Sequence, residues 1–79
     1  MAPIISLEGK RILITGAARG LGQAFAEAAV AAGAQVAIAD ILEDVGAKAA
    51  KQMGAVFAPL DLADPVSVES CMEIVVQKL

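Results

Sequence analysis

Three glycines and two carboxylates are the residues of this chain whose types and spacing suit the binding of a small molecule. The glycines stand at positions 16, 20 and 22, between a short apolar run, Arg11–Thr15, and a segment of helical periodicity that begins at Leu21. Gly16 allows a sharp turn off a strand, Gly20 allows the backbone to approach a phosphate, and Gly22 allows close packing of helix on strand. The first amides of that helix would face an anion. The loop therefore predicts a pyrophosphate site.

Glycines alone are weak evidence, because an ordinary flexible turn has the same composition and the spacing differs from the commonest dinucleotide motif, G-x-G-x-x-G. The context favours the dinucleotide. The loop follows a predicted strand and opens a helix, and Asp40 ends the next apolar run, 18 residues after Gly22. An acid about 20 residues beyond the loop is the residue expected to hold a ribose.

Asp40 decides which dinucleotide is expected. Its carboxylate can accept hydrogen bonds from both hydroxyls of an adenosine ribose and would repel a 2′-phosphate. It could also, or instead, cap the helix that follows. Arg19 acts in the opposite direction, since a guanidinium can hold a 2′-phosphate, whereas Ile41, directly after Asp40, adds no positive charge. We therefore expect NAD rather than NADP as the cofactor.

Asp61 follows the third apolar run, as Asp40 follows the second. Because strand ends in an open α/β sheet point toward the ligand crevice, we expect Asp61 to supply a polar group to that crevice. Its carboxylate can accept a hydrogen bond from the adenine amino group, and the amide of Leu62 can reach a ring nitrogen. The alternative is a local turn in which Asp61 and Asp64 serve as turn and cap residues. We assign adenine binding to Asp61 and capping to Asp64.

Short apolar runs that alternate with helical segments predict how these residues are positioned. Runs without polar alternation are typical of strands covered on both faces, as in parallel sheets. The predicted strands are 11–15, 35–39 and 55–60, and the predicted helices are 21–32, 42–53 and 65–79. This alternation indicates βαβ units, so we expect an α/β fold with a Rossmann-type parallel sheet, ordered 3-2-1 and incomplete as a doubly wound fold.

The helices carry apolar stripes that should face this sheet. The first two helices are expected on one face and the third on the other. The predicted stripe residues are Leu21, Phe25, Ala28, Ala29 and Ala32 in the first helix, Leu42, Val45, Ala49 and Met53 in the second, and Val68, Met72, Val75 and Leu79 in the third.

Composition excludes several other classes. The 79 residues make at most one domain, and the net charge of −3 gives no support for nucleic acid or an anionic membrane as a partner. The chain has no histidine, which excludes a histidine-based metal site and a serine or cysteine triad, and its single cysteine fits a reducing compartment. No targeting signal precedes the first charges, so we expect a cytoplasmic protein.

Taken together, these motifs resemble the short-chain dehydrogenase/reductase family. The resemblance rests on T-G-A-A-R-G-L-G at 15–22, on Asp40 and on D-L-A-D at 61–64, and it spans essentially the whole chain. It implies an NAD-dependent oxidoreductase that transfers hydride between a nicotinamide and an alcohol or carbonyl substrate, and we expect a homo-oligomer at full length. The cofactor-binding residues that it implies are Gly16, Arg19, Gly20, Leu21, Gly22, Asp40, Ile41, Asp61 and Leu62.

The chain departs from the family in what it lacks. It has no tyrosine, so the Tyr-x-x-x-Lys pair is missing, as are the catalytic serine and the Asn-Ala-Gly turn. In the family that tyrosine transfers the proton while the nicotinamide transfers hydride. We therefore assign no catalytic and no metal-binding residue, and expect residues 1–79 to be the N-terminal part of one NAD-binding domain in a longer enzyme.

Two alternatives stay open. One is a stand-alone, non-catalytic nucleotide-binding module, against which the apolar composition and the unpaired edge expected at 11–15 both argue. The other is a methyltransferase, which also places an acid after the second strand. The loop from Thr15 to Gly22 fits a pyrophosphate better than it fits that class.

Overall fold

Strands and helices alternate along residues 6–79, the part of the chain that the computed structural model describes. All six predicted elements are confirmed, each with bounds within one residue of the prediction. They are β1 (Arg11–Thr15), α1 (Gly20–Ala31), β2 (Gln35–Asp40), α2 (Glu43–Met53), β3 (Val56–Pro59) and α3 (Pro65–Lys78).

The three strands form one parallel sheet with β2 in the centre, as predicted. Thr15 at the end of β1 pairs with Ala39, and Asp40 at the end of β2 pairs with Pro59 at the end of β3. Pro59 has no N–H group to donate to the ladder. Because it is the last residue of β3, the hydrogen bonds further inside the sheet stay intact. Because the strands are parallel and end in register, their carboxyl ends meet at one edge.

The helices cover the sheet as predicted, with α1 and α2 on one face and α3 on the other. Side chains alternate along β2, so Val36 and Ile38 pack beneath α1 and α2, whereas Ala37 and Ala39 pack beneath α3. Of the described helices, none combines the length and the apolar character needed to span a bilayer.

The predicted helix stripes are wrong in part: Ala29, Ala49 and Val75 are buried as predicted, but several larger stripe residues are exposed. Leu21 and Phe25 are 71% and 60% exposed, whereas Ala26 and Ala29 are buried. In α2 and α3 the buried residues are Gly46, Ala49, Ala50, Cys71 and Val75. The prediction included large apolar side chains such as Leu21 and Phe25, but α1 and α2 lie with alanine and glycine against the sheet.

Gly46 shows how closely α2 approaches the sheet. Glycine costs about 1 kcal/mol relative to alanine inside a helix, so its presence in α2 requires a structural reason. In the structure it is buried against the ring of Phe57 in β3, and a Cβ atom at position 46 would overlap that ring. The glycine makes room for the aromatic side chain between helix and sheet.

We therefore expect Gly46→Ala to lower the free energy of unfolding by about 1–3 kcal/mol, the usual cost of overpacking, despite the better helix propensity of alanine. Urea unfolding of the full-length protein measures this. In a Phe57→Leu background, which removes the ring, the same substitution should cost much less. An equal gain in stability in both backgrounds would contradict the contact.

Candidate functional site

A cleft of about 280 Å³ opens where the three strands end. Asp40 and Asp61 both line it, although 21 positions separate them in the sequence. A hydrogen bond joins the backbone segments that carry them, because the amide of Leu60, next to Asp61, donates to the carbonyl oxygen of Asp40 at 3.0 Å. The residues lining the cleft are Thr15, Gly16, Ala39, Asp40, Ile41, Leu60, Asp61, Leu62 and Ala63.

The glycine loop connects β1 to α1 beside this cleft. Gly16 and Gly20 have φ angles of +66° and +68°, a left-handed conformation that side chains disfavour. The amide of Gly16 donates to the carbonyl oxygen of Ala39 at 2.8 Å, and Ala17 and Ala18 are buried. The loop is therefore fixed to the sheet at its first residues.

Gly22 has a different structural role from the other two glycines. A Cβ atom there would overlap the carbonyl oxygen of Gly16 and lie 3.1 Å from the Cα atom of Ala17. The close contact predicted for Gly22 is present, but it is made with the loop and not with the strand. At Gly20, in contrast, a Cβ atom would meet nothing within 4 Å.

Asp40 holds two backbone segments at once. Its Oδ2 atom accepts a hydrogen bond from the amide of Ala18 at 3.1 Å, and its Oδ1 atom accepts one from the amide of Leu42 at 3.0 Å. The alternative of a helix cap is not what the structure shows, since Leu42 is the N-cap of α2 and α2 has no side-chain cap. Instead, the carboxylate joins the glycine loop to the segment that enters α2.

Asp61 and Asp64 organise the turn that leads into α3. Asp61 accepts a hydrogen bond from the amide of Ala63 through Oδ1 at 3.0 Å. Asp64 accepts one from the amide of Val66 at 3.0 Å, which confirms its predicted capping role. Asp61 thus has a turn role, as the alternative interpretation held, and also lines the cleft.

Sequence analysis missed Ser67, whose Oγ atom accepts a hydrogen bond from the amide of Asp61 at 2.8 Å. The signal was a hydroxyl at the third position of α3, from which a side chain can reach the backbone amides of the turn that precedes the helix. Glutamate or glutamine at that position would have suggested a capping box, but serine carries no such expectation.

Of the predicted binding residues, Arg19, Gly20, Leu21 and Gly22 do not line the cleft. Arg19 is the N-cap of α1, is exposed, and lines a separate groove between α1 and α2 together with Gln23 and Lys48. Cys71 is buried on the side of α3 that packs against the sheet, where burial raises the pKa of its thiol. A thiol that stays protonated there serves packing.

The sequence matches the family model of the short chain dehydrogenases over residues 10–79. The chain belongs to that family. It is 48% identical over 68 residues to a sorbitol dehydrogenase of Cereibacter sphaeroides, an alignment that covers 84% of this chain and 27% of that protein. The resemblance inferred from the glycine loop and the two acids is thus confirmed.

Solved structures of similar proteins share the fold. A 3-ketoacyl-(acyl-carrier-protein) reductase from Brucella melitensis complexed with NADH superposes with a TM-score of 0.89 at 33% identity, covering 92% of this chain and 31% of that one. The Pseudomonas aeruginosa RhlG/NADP complex gives a TM-score of 0.89 at 28% identity, covering 100% and 34%. The chain described here spans about a quarter to a third of the length of these three proteins.

The two kinds of glycine in the loop should respond differently to substitution. Gly20→Ala should cost about 1–2 kcal/mol of stability, the strain of a left-handed alanine in open space. Gly22→Ala should cost more, at least about 3 kcal/mol, because its Cβ atom meets backbone that no change of rotamer can move. Chemical unfolding of the full-length protein compares them, and equal costs would mean that the helix and the loop are not in close contact.

Proposed function

We propose that this chain supplies the adenosine- and pyrophosphate-binding half of an NAD-dependent short-chain dehydrogenase/reductase. When bound, the nicotinamide supplies or receives the hydride that is exchanged with an alcohol or carbonyl substrate. The observation that carries the proposal is that Gly16, the first residue of the glycine loop, lines one cleft with Asp40 and Asp61 at the carboxyl end of the sheet, and that Asp40 is hydrogen-bonded to the loop through the amide of Ala18. In open α/β sheets this edge is where dinucleotides bind.

Asp40 is the residue we propose to hold the adenosine ribose. Each carboxylate oxygen can accept two hydrogen bonds, and the amides of Ala18 and Leu42 use one on each oxygen. One acceptor position on each oxygen is left for the two ribose hydroxyls. A 2′-phosphate would instead bring negative charge against the carboxylate. Ile41, which also lines the cleft, offers that phosphate no cation.

The pyrophosphate is proposed to lie against Gly20 and the first turn of α1. Open space adjoins Gly20. The first turn of α1 contains no acidic residue, and no side chain caps its amides. The positive end of the helix dipole therefore meets no negative charge from its own first turn. Arg19, the N-cap residue, is placed to add a positive charge at the same end of the helix.

The proposal places proton transfer and substrate recognition outside these 79 residues. The chain has neither tyrosine nor histidine, and its acids in the cleft are assigned to the cofactor. Its residues bind and orient the dinucleotide, and the partner that donates or accepts the proton of the alcohol is assigned to the rest of the full-length protein.

Cofactor preference provides a test of Asp40. In Asp40→Asn we expect the affinity ratio of NAD to NADP to fall at least about tenfold, because hydrogen bonds to a charged group contribute about 1.5–3 kcal/mol and a 2′-phosphate is no longer repelled. Loosening of the glycine loop would weaken both cofactors alike, so the ratio isolates ribose recognition. Calorimetric titration of the full-length protein with each cofactor gives the ratio.

Asp44→Asn is the matched control for the change in charge. Asp44 lies in the first turn of α2, is exposed, and does not line the cleft, so its removal should leave the ratio unchanged. Equal affinity of the wild-type protein for NAD and NADP would contradict the proposed preference. An unchanged ratio in Asp40→Asn would show that Asp40 does not contact the ribose.

The pyrophosphate assignment is tested at Gly20. Gly20→Val fills the space in which the phosphates are proposed to lie, so dinucleotide affinity should fall at least about 30-fold, which corresponds to about 2 kcal/mol. Gly54→Val is the control, because Gly54 also has a left-handed φ angle and open space around it but lies at the far end of α2. Equal loss of affinity in both variants would indicate general unfolding and not exclusion of the ligand.

A further inference from the structure

Ser67 connects the cleft to the core through a single hydrogen bond. Its Oγ atom accepts from the amide of Asp61 at 2.8 Å, and both residues are half-buried. Ser67, Cys71 and Val75 are spaced four residues apart, so they lie on one face of α3. Cys71 and Val75 are buried against the sheet. The position of the hydroxyl is therefore set by the packing of α3.

The turn that carries Asp61 is otherwise held by its own atoms and by the end of β2. The carbonyl oxygen of Asp61 accepts from the amide of Asp64 at 3.1 Å, and the amide of Leu60 donates to Asp40. Within residues 6–79, Ser67 is the one side chain of α3 that hydrogen-bonds to Asp61. It fixes the backbone amide of Asp61, and the direction of the Asp61 side chain depends on that backbone.

The two oxygens of the Asp61 carboxylate have different surroundings. Oδ1 accepts from the amide of Ala63, whereas Oδ2 accepts no hydrogen bond within residues 6–79 and keeps both of its acceptor positions for a ligand in the cleft. An amino group on the bound base would donate to it, whereas a carbonyl oxygen at the same place would be repelled. The orientation of Asp61 therefore determines how strongly the cleft distinguishes a 6-amino purine from a 6-oxo purine.

We propose that Ser67 is a positioning residue for base recognition, which acts by holding Asp61 so that Oδ2 meets the amino group of adenine. This inference rests on the proposed function, because it assumes that Asp61 faces adenine. Loss of the hydroxyl leaves the amide of Asp61 without its partner, and a half-buried amide without a partner turns toward water. The carboxylate then moves with it, and the base preference falls.

The test compares NAD with nicotinamide hypoxanthine dinucleotide, in which the adenine amino group is replaced by an oxygen. Calorimetric titration of the full-length wild-type protein should show NAD bound at least about tenfold more tightly, the contribution expected of one charge-assisted hydrogen bond. In Ser67→Ala this preference should fall at least about threefold, mainly through weaker binding of NAD.

Two variants serve as matched controls. Ser67→Thr keeps the hydroxyl and should keep the preference. Ser70→Ala removes an exposed hydroxyl from the same helix, one turn further on, and should also keep it. If Ser67→Ala does not fold, Ser67→Cys decides by the same ratio, since sulfur occupies the position but is a weak acceptor.

Each outcome separates the two proposals. Equal binding of both dinucleotides by the wild-type protein would remove Asp61 from adenine recognition, and this inference would fail with that assignment. A wild-type preference that persists in Ser67→Ala, or a loss of affinity that is equal for both dinucleotides, would overturn the role of Ser67 alone. Failure of the wild-type protein to bind either dinucleotide would contradict the proposed function itself.

Discussion

The carboxylate of Asp40 is the interaction on which the cleft depends. Asp40 ends the central strand. Its carboxylate accepts hydrogen bonds from the amides of Ala18 and Leu42, and its backbone carbonyl oxygen accepts one from the amide of Leu60. The glycine loop, the entry to α2 and the end of β3 are thus all joined to one residue. Recognition of a ribose there would use a side chain that the fold has already oriented.

Most of the fold could be predicted from the sequence because its local signals agree with one another. The strand at Arg11–Thr15, the turn at Gly16 and the capped start of α3 at Asp64 each follow from the chemistry of a few neighbouring residues. Agreement between such signals is what specifies one fold. The edge at which Asp40 and Asp61 meet followed from the parallel order of the strands.

The details that sequence analysis missed depend on contacts between distant segments. The exposure of Phe25 and the burial of Ala26 are set by how closely α1 approaches the sheet. The periodicity of apolar residues in the sequence does not contain that distance. The role of Gly46 follows from a ring in another element, and the bond from Ser67 spans six residues around a turn. Sequence patterns report which residues are apolar or polar, whereas these roles depend on size and distance.

The contact between Gly22 and the carbonyl group of Gly16 has a thermodynamic consequence. It holds the start of α1 against the loop, and Ala17 and Ala18 are buried beside it. The conformational entropy of these loop residues is therefore lost when the chain folds and not when an anion arrives. A ligand that meets amides already in place keeps more of its interaction energy as affinity. The contacts that fix this glycine-rich segment would thus make it a ready receptor for the proposed pyrophosphate.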